Sequence, residues 1–222
     1  MLRRIVRKTT NHSVSSTRWL TRHLNDPFVI EAKRLGYRSR AAFKLIQLDD
    51  RFHFLRPGKR VVDLGAAPGG WTQVAVQRVK ALDPHGGKVI SVDILECMPI
   101  AGAIVLTHDF LNNSTPQIIK NALGSSADVV LSDISPTSIG HKSTDHDRIL
   151  YMCEIALNFA IEVLAQHGTF IVKIFKGGGE RAQIDLMKKN FERVRYVKPQ
   201  ASRAESSEVY LIAMNFRAQQ VI

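Results

Sequence analysis

"VVDLGAAPGGWTQ", residues Val61–Gln73, joins three kinds of pattern. An apolar run ends at the acid Asp63, a glycine-rich turn follows, and a helical pattern begins near Trp71. The glycine spacing is G-x-x-x-G-G, not the G-x-G-x-x-G that holds the pyrophosphate of a dinucleotide. Because glycine permits positive φ and a close approach to the backbone, we expect a ligand against this turn.

Similar apolar runs recur through most of the chain and alternate with helical patterns. Several of these runs are continuous in Val and Ile, which is typical of strands buried on both faces of a parallel sheet. The sequence therefore predicts an α/β, Rossmann-like fold with a mostly parallel seven-stranded sheet and helices on both faces. Only the polar loop PQASRAESS separates the last two strands, so the last strand should be antiparallel. The seven runs are RVVDLG, GKVISVD, GAIVLTHD, ADVVLSD, GTFIVKIF, ERVRYVK and EVYLIAMNF.

Two helices are predicted before the first strand. The first has Asp26 as N-cap, Pro27 at its first position and Gly36 as its stop. The second lies in SRAAFKLIQLDDRF, with Ser39 as its cap and Phe43 and Ile46 on its inner face.

Positive charge dominates the chain and is concentrated near its beginning. The net charge is +11, and residues 1–40 hold ten Lys and Arg residues against two acids. Such an excess favours a polyanionic partner, most often nucleic acid. Residues 1–25 contain no acid, six basic residues and seven Ser or Thr residues. This composition fits a mitochondrial transit peptide, and a basic RNA-binding arm would look similar.

We expect residues 1–20 to be the targeting segment and residues 21–222 to form a single domain, located in the mitochondrial matrix or, alternatively, in the cytoplasm. No apolar run approaches the ~18–20 residues that span a bilayer, so no membrane association is expected. The two cysteines, Cys97 and Cys153, are too isolated for a disulfide framework or a zinc site and should be buried and reduced.

Four apolar runs end in an acid: Asp63, Asp93, Asp109 and Asp133. The carboxyl ends of parallel strands lie at one edge of a sheet, where ligands of open α/β folds bind. Any one acid could be a turn residue. Four at one edge would repel a pyrophosphate but would suit S-adenosylmethionine, which carries a sulfonium, an ammonium and ribose hydroxyls.

The sequence also resembles a known family. The segments YRSRAAFKLIQLDDRF, GAAPGGW, LSDISPT, FIVKIF and SRAESSEVYLIA are similar to the FtsJ/RrmJ ribosomal RNA 2′-O-methyltransferases over about residues 35–215. RWLTRHLNDPFV and the basic beginning resemble the mitochondrial branch, which methylates a uridine in large-subunit rRNA. The resemblance implies S-adenosylmethionine as cofactor, rRNA or the large ribosomal subunit as partner, and a role in ribosome biogenesis.

The resemblance implies a catalytic tetrad of Lys44, Asp133, Lys173 and Glu208. We expect Lys173 to be the base, Asp133 and Lys44 to orient it, and Glu208 to hold a lysine or the ribose. Independently of the family, a lysine inside the apolar run TFIVKIF needs a partner if it is buried. Taken alone, Lys173 could reach water at the strand end, Lys44 could be a solvated helical lysine and Glu208 an ordinary edge acid.

For the cofactor, the resemblance places Gly69 and Trp71 at the turn, Asp93 on the ribose and Asp109 on the adenine. Trp71 could equally be a core residue at the start of its helix. The family often has Ala-Pro-Asn where this chain has Ser135-Pro136-Thr137, which affects how the target nucleotide is held. The full set of expected cofactor residues is Asp63, Gly65, Pro68, Gly69, Gly70, Trp71, Asp93, Asp109 and Asp133.

The segment HKSTDHD, residues 141–147, has mixed spacing and no distant matching cluster, so we predict a polar loop and no metal. We expect a monomer. Three other functions stay open. They are a tRNA 2′-O-methyltransferase of the same family, a non-catalytic RNA-binding assembly factor, and an NAD-dependent oxidoreductase, which the glycine spacing disfavours.

Overall fold

The computed structural model describes residues 20–136 and 139–218, with a seven-stranded sheet in the order β3-β2-β1-β4-β5-β7-β6. Strands β1 to β5 pair in parallel, and β7 is antiparallel to both β5 and β6. The predicted fold class, strand number and antiparallel last strand are confirmed. The strands are β1 Arg60–Leu64, β2 Lys88–Asp93, β3 Ala103–Thr107, β4 Ala127–Ser132, β5 Leu164–Phe175, β6 Phe191–Val197 and β7 Glu208–Phe216.

Helices surround the sheet, and the first one forms as its sequence predicts. The Asp26 side chain accepts a hydrogen bond from the Phe28 amide, and Gly36 ends the helix with φ of 79°. Residues 20–24 are helical as well. The bounded helices are α1 Pro27–Leu35, α2 Ala42–Phe52, α3 Gly70–Val79, α4 Thr115–Leu123, α5 Lys142–Val163 and α6 Arg181–Asn190.

The cap predicted for α2 was wrong. The N-cap is Ala41, which makes no side-chain cap hydrogen bond, because the Ser39 hydroxyl packs instead against Gly70. The inner face was predicted only in part, since Ile46 packs against the core, whereas Leu45 and Leu48 are the fully buried residues and Phe43 is half-buried.

Two apolar cores lie on opposite faces of the sheet. Helices α2 and α3 contribute to one core, and helices α4, α5 and α6 contribute to the other. The two free cysteines are buried as predicted, Cys97 in the first core and Cys153 in the second. Side chains alternate between the two faces of the sheet along each strand, so neighbouring residues of one strand contact different sets of helices.

This alternation sends Asp63 and Lys173 to the α2 and α3 side. On β1, Val62 and Leu64 enter the α4–α6 core, which leaves Asp63 facing α3. On β5, Val172 and Ile174 enter the same core, and Lys173 between them faces α2. The arrangement therefore collects charged side chains on one face, at the carboxyl edge of β1, β4 and β5.

Candidate active site

Two adjoining cavities open at the carboxyl edge of the parallel strands. The larger has a volume of about 500 Å³ and the smaller about 140 Å³. Gly65, Ala67 and Asp133 line both, so the cavities meet at the turn after β1 and the end of β4. The larger cavity is also lined by Asp93 and Asp109.

The glycine turn is shaped by contacts within the protein. Gly65 has φ of 69°, and a Cβ there would collide with the Ile134 side chain. Gly69 has φ of 105° and is the N-cap of α3. The Ala67–Pro68 peptide between them is cis. At Gly65, the structure explains the glycine by packing within the protein, because glycine allows the end of β4 to pack against the turn.

Asp63 is buried beneath this turn. Its Oδ2 accepts a hydrogen bond of 2.7 Å from the Thr72 hydroxyl, two residues into α3. Burial, together with the charges of Asp133 and Asp93, raises the pKa of Asp63 to about 7, against the opposing effect of Thr72. Because Asp63 also lines the smaller cavity, that cavity contains a carboxyl group that lacks a paired cation in the described structure.

Asp93 and Asp109 line the larger cavity, and both also accept hydrogen bonds from backbone amides. Asp93 accepts from the Ala67 and Leu95 amides at 2.8 Å each, so it ties the glycine turn to the end of β2. Asp109 accepts from the Leu111 amide at 2.9 Å. The acids predicted to share one edge do so, because they lie at or just beyond the carboxyl ends of the neighbouring strands β3, β2, β1 and β4.

Apolar side chains complete the larger cavity. Ile94, Leu95 and Leu111 line it and are exposed to solvent, which is unusual for large aliphatic residues. Nothing in their sequence pattern distinguished them from loop residues. An apolar wall opposite carboxylates suits a ligand with a flat ring and hydroxyl groups.

The four residues of the expected tetrad come together beside the cavities. Lys173 Nζ lies 3.2 Å from Asp133 Oδ1 and donates to the Asp133 carbonyl at 2.8 Å. Lys44 Nζ lies 2.8 Å from Glu208 Oε2 and 3.8 Å from Asp133 Oδ2. Lys173 is 5% exposed, so the alternative in which this lysine reaches water at the end of its strand is wrong.

Asp133 is the centre of this cluster. Burial opposes its ionisation, but Lys173 and Lys44, with the Tyr210 hydroxyl, hold the pKa of Asp133 below its ordinary value. Two lysines and two carboxylates balance, and this balance lets four ionisable side chains stay mostly buried. The cluster therefore holds the four side chains in one arrangement.

Two contributors were missed from the sequence. Tyr210 is fully buried, donates to Asp133 Oδ1 at 2.8 Å, and lies beneath Lys44 with Nζ 5.7 Å from its ring centre. Its position two residues after Glu208, on the same face of β7, was a usable signal. Arg38 donates to the carbonyls of Pro68, Met98 and Pro99, and no sequence signal marked it.

Trp71 lies mainly in the core. It is 3% exposed, its Nε1 donates to the Ala41 carbonyl at 2.8 Å, and its ring packs against Tyr210 at 5.6 Å. It also lines the smaller cavity, together with Pro68 and Gly70. Both interpretations of Trp71 thus have a structural basis.

Within residues 20–136 and 139–218, no group of three or more His, Cys, Asp or Glu side chains is arranged to hold a metal ion. None of the helices described there is both long enough and apolar enough to cross a membrane. Ser135 and Pro136 line the larger cavity, whereas Thr137 lies outside the described residues.

Comparison with known proteins identifies the family. The model of the FtsJ-like methyltransferase family matches residues 37–216, more than three-quarters of the chain. The chain belongs to the FtsJ-like methyltransferase family. The expected enzyme class, a methyltransferase, is confirmed, and FtsJ-like methyltransferases use S-adenosylmethionine.

Individual FtsJ-like relatives agree over nearly the whole chain. Ribosomal RNA large subunit methyltransferase E of Paramagnetospirillum magneticum is 60% identical, over 96% of this chain and 87% of that protein. The protein of the same name from Mesorhizobium japonicum is 49% identical, over 99% of this chain and 83% of that protein. A solved structure described as a ribosomal RNA methyltransferase of Plasmodium falciparum has a TM-score of 0.72 and 31% identity, over 81% of this chain and 98% of that one.

These relatives correct the expected location. The expected matrix location was wrong, because similar FtsJ-like proteins whose matches cover 96% or more of the chain are bacterial. These relatives give no support to the mitochondrial branch or to the transit peptide. A match over 99% of the chain includes most of the basic segment, which is therefore shared with a protein from an organism without mitochondria. A basic, hydroxyl-rich composition without acids is common to import signals and RNA-binding arms. Residues 1–19 lie outside the described structure.

The site fits the cofactor of an FtsJ-like enzyme. S-adenosylmethionine has a positively charged amino-acid end and a longer adenosine end. The smaller cavity contains Asp63, whose pKa is raised by burial and by the charges of Asp133 and Asp93, and the larger contains three carboxylates and an apolar wall. A redox dinucleotide would bring a pyrophosphate into this ring of acids, which disfavours the oxidoreductase.

Proposed function

We propose that this chain transfers the methyl group of S-adenosylmethionine to the 2′-hydroxyl of a uridine ribose in large-subunit ribosomal RNA. The observation that carries the proposal is the position of Asp133, which lines both cavities and also binds Lys173. A buried amine is thereby fixed where a cofactor pocket meets the surface. Two curated bacterial relatives bear the name ribosomal RNA large subunit methyltransferase E, which supports this RNA as substrate.

The cofactor residues follow from the lining of the cavities. We assign Asp63 to the ammonium of the amino-acid end, with Gly70 and Trp71 beside it in the smaller cavity. The place of Gly69, the N-cap of α3, rests on the family resemblance. We assign Asp93 to the ribose hydroxyls and Asp109 to the adenine. The smaller cavity's other walls are Gly65 and Pro68, and Asp133 stands between the two ends. When bound, S-adenosylmethionine supplies an activated methyl group on a positively charged sulfur.

Lys173 serves as the base. Two of the directions around its Nζ are occupied by the carboxylate and the carbonyl of Asp133. In the neutral amine, the lone pair then points in the remaining direction, where the ribose hydroxyl can approach. With the cofactor held by the residues above, Lys173 would accept the hydroxyl proton as the ribose oxygen took the activated methyl group that the cofactor would supply. A well-placed base contributes about 10²–10⁴-fold, and alignment of the reactants contributes about 7–11 kcal/mol.

Lys44 and Glu208 keep this base in place. Lys44 neutralises Asp133 from the side opposite Lys173, and Glu208 binds Lys44 at 2.8 Å. Without Glu208, the flexible Lys44 side chain would not be fixed against Asp133. We therefore assign Lys44, Asp133 and Glu208 to the orientation of Lys173.

The RNA is held mainly through phosphate contacts. The concentration of positive charge in residues 1–40 supports this, since Lys and Arg contacts with phosphates are independent of sequence. We propose that residues 1–20 are a basic RNA-contacting segment ahead of a single domain, 21–222. The uridine specificity of the proposal rests on the family resemblance.

The test is single-turnover transfer of a labelled methyl group to large-subunit rRNA, free or assembled, with mapping of the methylated ribose by mass spectrometry. We expect one modified uridine in the large-subunit rRNA. Transfer to tRNA and not to rRNA would replace the substrate. Tight rRNA binding without transfer would favour an assembly factor.

A further inference from the structure

The carboxylate of Glu208 is held by two donors from different parts of the chain. Lys44 Nζ donates to Oε2 at 2.8 Å, and the Ser202 hydroxyl donates to Oε1 at 2.6 Å. Ser202 is 6% exposed and lies in the loop between β6 and β7. Each oxygen of Glu208 therefore has its own donor.

The peptide before Ser202 is fixed to the region that carries Lys44. The Ala201 amide donates to Gln47 Oε1 at 2.8 Å, and the Ala201 carbonyl accepts from Arg40. Gln47 follows Lys44 by three residues on α2, so both side chains project from the same face of that helix. Helix α2 thus contacts both the tetrad and the loop beside it.

These contacts form a closed ring. It runs from Lys44 to Glu208, on to Ser202, through the Ala201 peptide to Gln47, and back along one turn of α2. A carboxylate with only one donor can rotate about its side-chain torsions, whereas one held at both oxygens cannot do so without breaking a charge-assisted hydrogen bond. The position of Lys44 relative to Asp133 depends on that restraint.

We propose that Ser202 is a positioning residue for methyl transfer, acting on the base Lys173 through Glu208 and Lys44. This inference rests on the proposed function. Its hydroxyl does not reach the cavities that surround the proposed cofactor, because Ser202 lines neither of them. Its effect should therefore fall on the transfer step and not on cofactor binding.

The experiment compares Ser202→Ala with Ser207→Ala in single-turnover transfer to rRNA, with cofactor and RNA saturating. Ser207 lies in the same loop and is exposed. We expect Ser202→Ala to lower the rate constant about 10- to 150-fold, as for loss of a hydrogen bond to a charged group. Ser207→Ala should stay within about twofold of wild type, and the cofactor and RNA Kd values of both variants should be unchanged.

A double-mutant cycle with Glu208→Ala separates positioning from a general structural role. If Ser202 acts through Glu208, then Ser202→Ala has no further effect once Glu208 is gone. Equal losses in both backgrounds would overturn the inference, as would a Ser202→Ala rate equal to that of Ser207→Ala. Gln47→Met provides a second test if Ser202→Ala folds poorly, and we expect a smaller loss that also vanishes in the Glu208→Ala background. A wild type that transfers nothing would overturn the proposed function itself, and this inference with it.

Discussion

Asp63 and Asp133 are both buried at the same edge of the sheet, yet their pKa values move in opposite directions. Burial raises the pKa of Asp63 to about 7, whereas Lys173 and Lys44 hold the pKa of Asp133 below its ordinary value despite its burial. The difference lies in the partners. The proposed catalytic half of the site contains its own counter-charges, whereas the proposed cofactor half has an acid with no paired cation among the described residues.

The largest effect should come from Lys173→Ala, which removes the proposed base from the balanced half. We expect methyl transfer to fall by at least about 10²–10⁴-fold, while the cofactor Kd stays within a few-fold because Asp63 is untouched. Single-turnover rates and calorimetric titration would measure the two. A variant that remained active would remove Lys173 as the base.

Next, Asp133→Asn leaves two lysines facing each other without their shared carboxylate. We expect the free energy of unfolding to fall by about 3–5 kcal/mol at pH 7, measured by urea denaturation. Because the folded pKa of Asp133 is lowered, this stabilisation is present above the ordinary carboxyl pKa and is lost as the pH falls through the folded value. The matched double variant Asp133→Asn with Lys173→Met should recover part of the loss. No change at pH 7 would mean that the pair contributes little.

Asp63→Asn tests the proposed cofactor half of the site, in which the carboxylate has no paired cation within the described part of the chain. At pH 8 the ligand-free variant should be about 2–4 kcal/mol more stable than wild type, because an acid with a raised pKa destabilises the folded state above its ordinary pKa. Its cofactor affinity should fall by about 2–3 kcal/mol. In the wild type, the cofactor Kd should rise up to about tenfold per pH unit below 7, and this dependence should be absent in the variant. A variant that titrates like the wild type would exclude Asp63 as the cation's partner.

Asp93→Ala should weaken cofactor binding by about 1.5–3 kcal/mol, the usual contribution of a charge-assisted hydrogen bond. Part of this loss will come through the glycine turn, because Asp93 also accepts from the Ala67 amide. Asp93→Asn retains an acceptor for that amide and should lose less. An unchanged dissociation constant for the alanine variant would remove Asp93 from the cofactor site.

The smallest effect is expected for Trp71→Phe, which separates the core role from the cavity role of this residue. Losing the hydrogen bond to the Ala41 carbonyl and part of the ring should lower stability by about 1–2 kcal/mol. The cofactor Kd should change less than threefold. A change above tenfold would place the indole in the binding surface.

The proposed cofactor half and the proposed catalytic half also differ in how far the sequence alone could predict them. The turn from Gly65 to Trp71 and the acids at strand ends follow from local pattern and strand order, and the predicted edge was correct. The tetrad joins residues 164 positions apart, Lys44 and Glu208, and only family resemblance brought them together beforehand. Tyr210 lies two residues after Glu208 on β7 and so faces the same side of the sheet, and this spacing could have predicted its contact with the tetrad. Ser202 and Arg38 act through tertiary contacts that leave no local pattern.

The strand order has a consequence for how the enzyme is made. Strand β7 lies between β5 and β6, so it enters a gap between two strands that precede it in the chain. Glu208 and Tyr210 arrive with this strand. During synthesis, Lys44 and Asp133 therefore lack their contacts with Glu208 and Tyr210 until β7 has emerged and entered this gap.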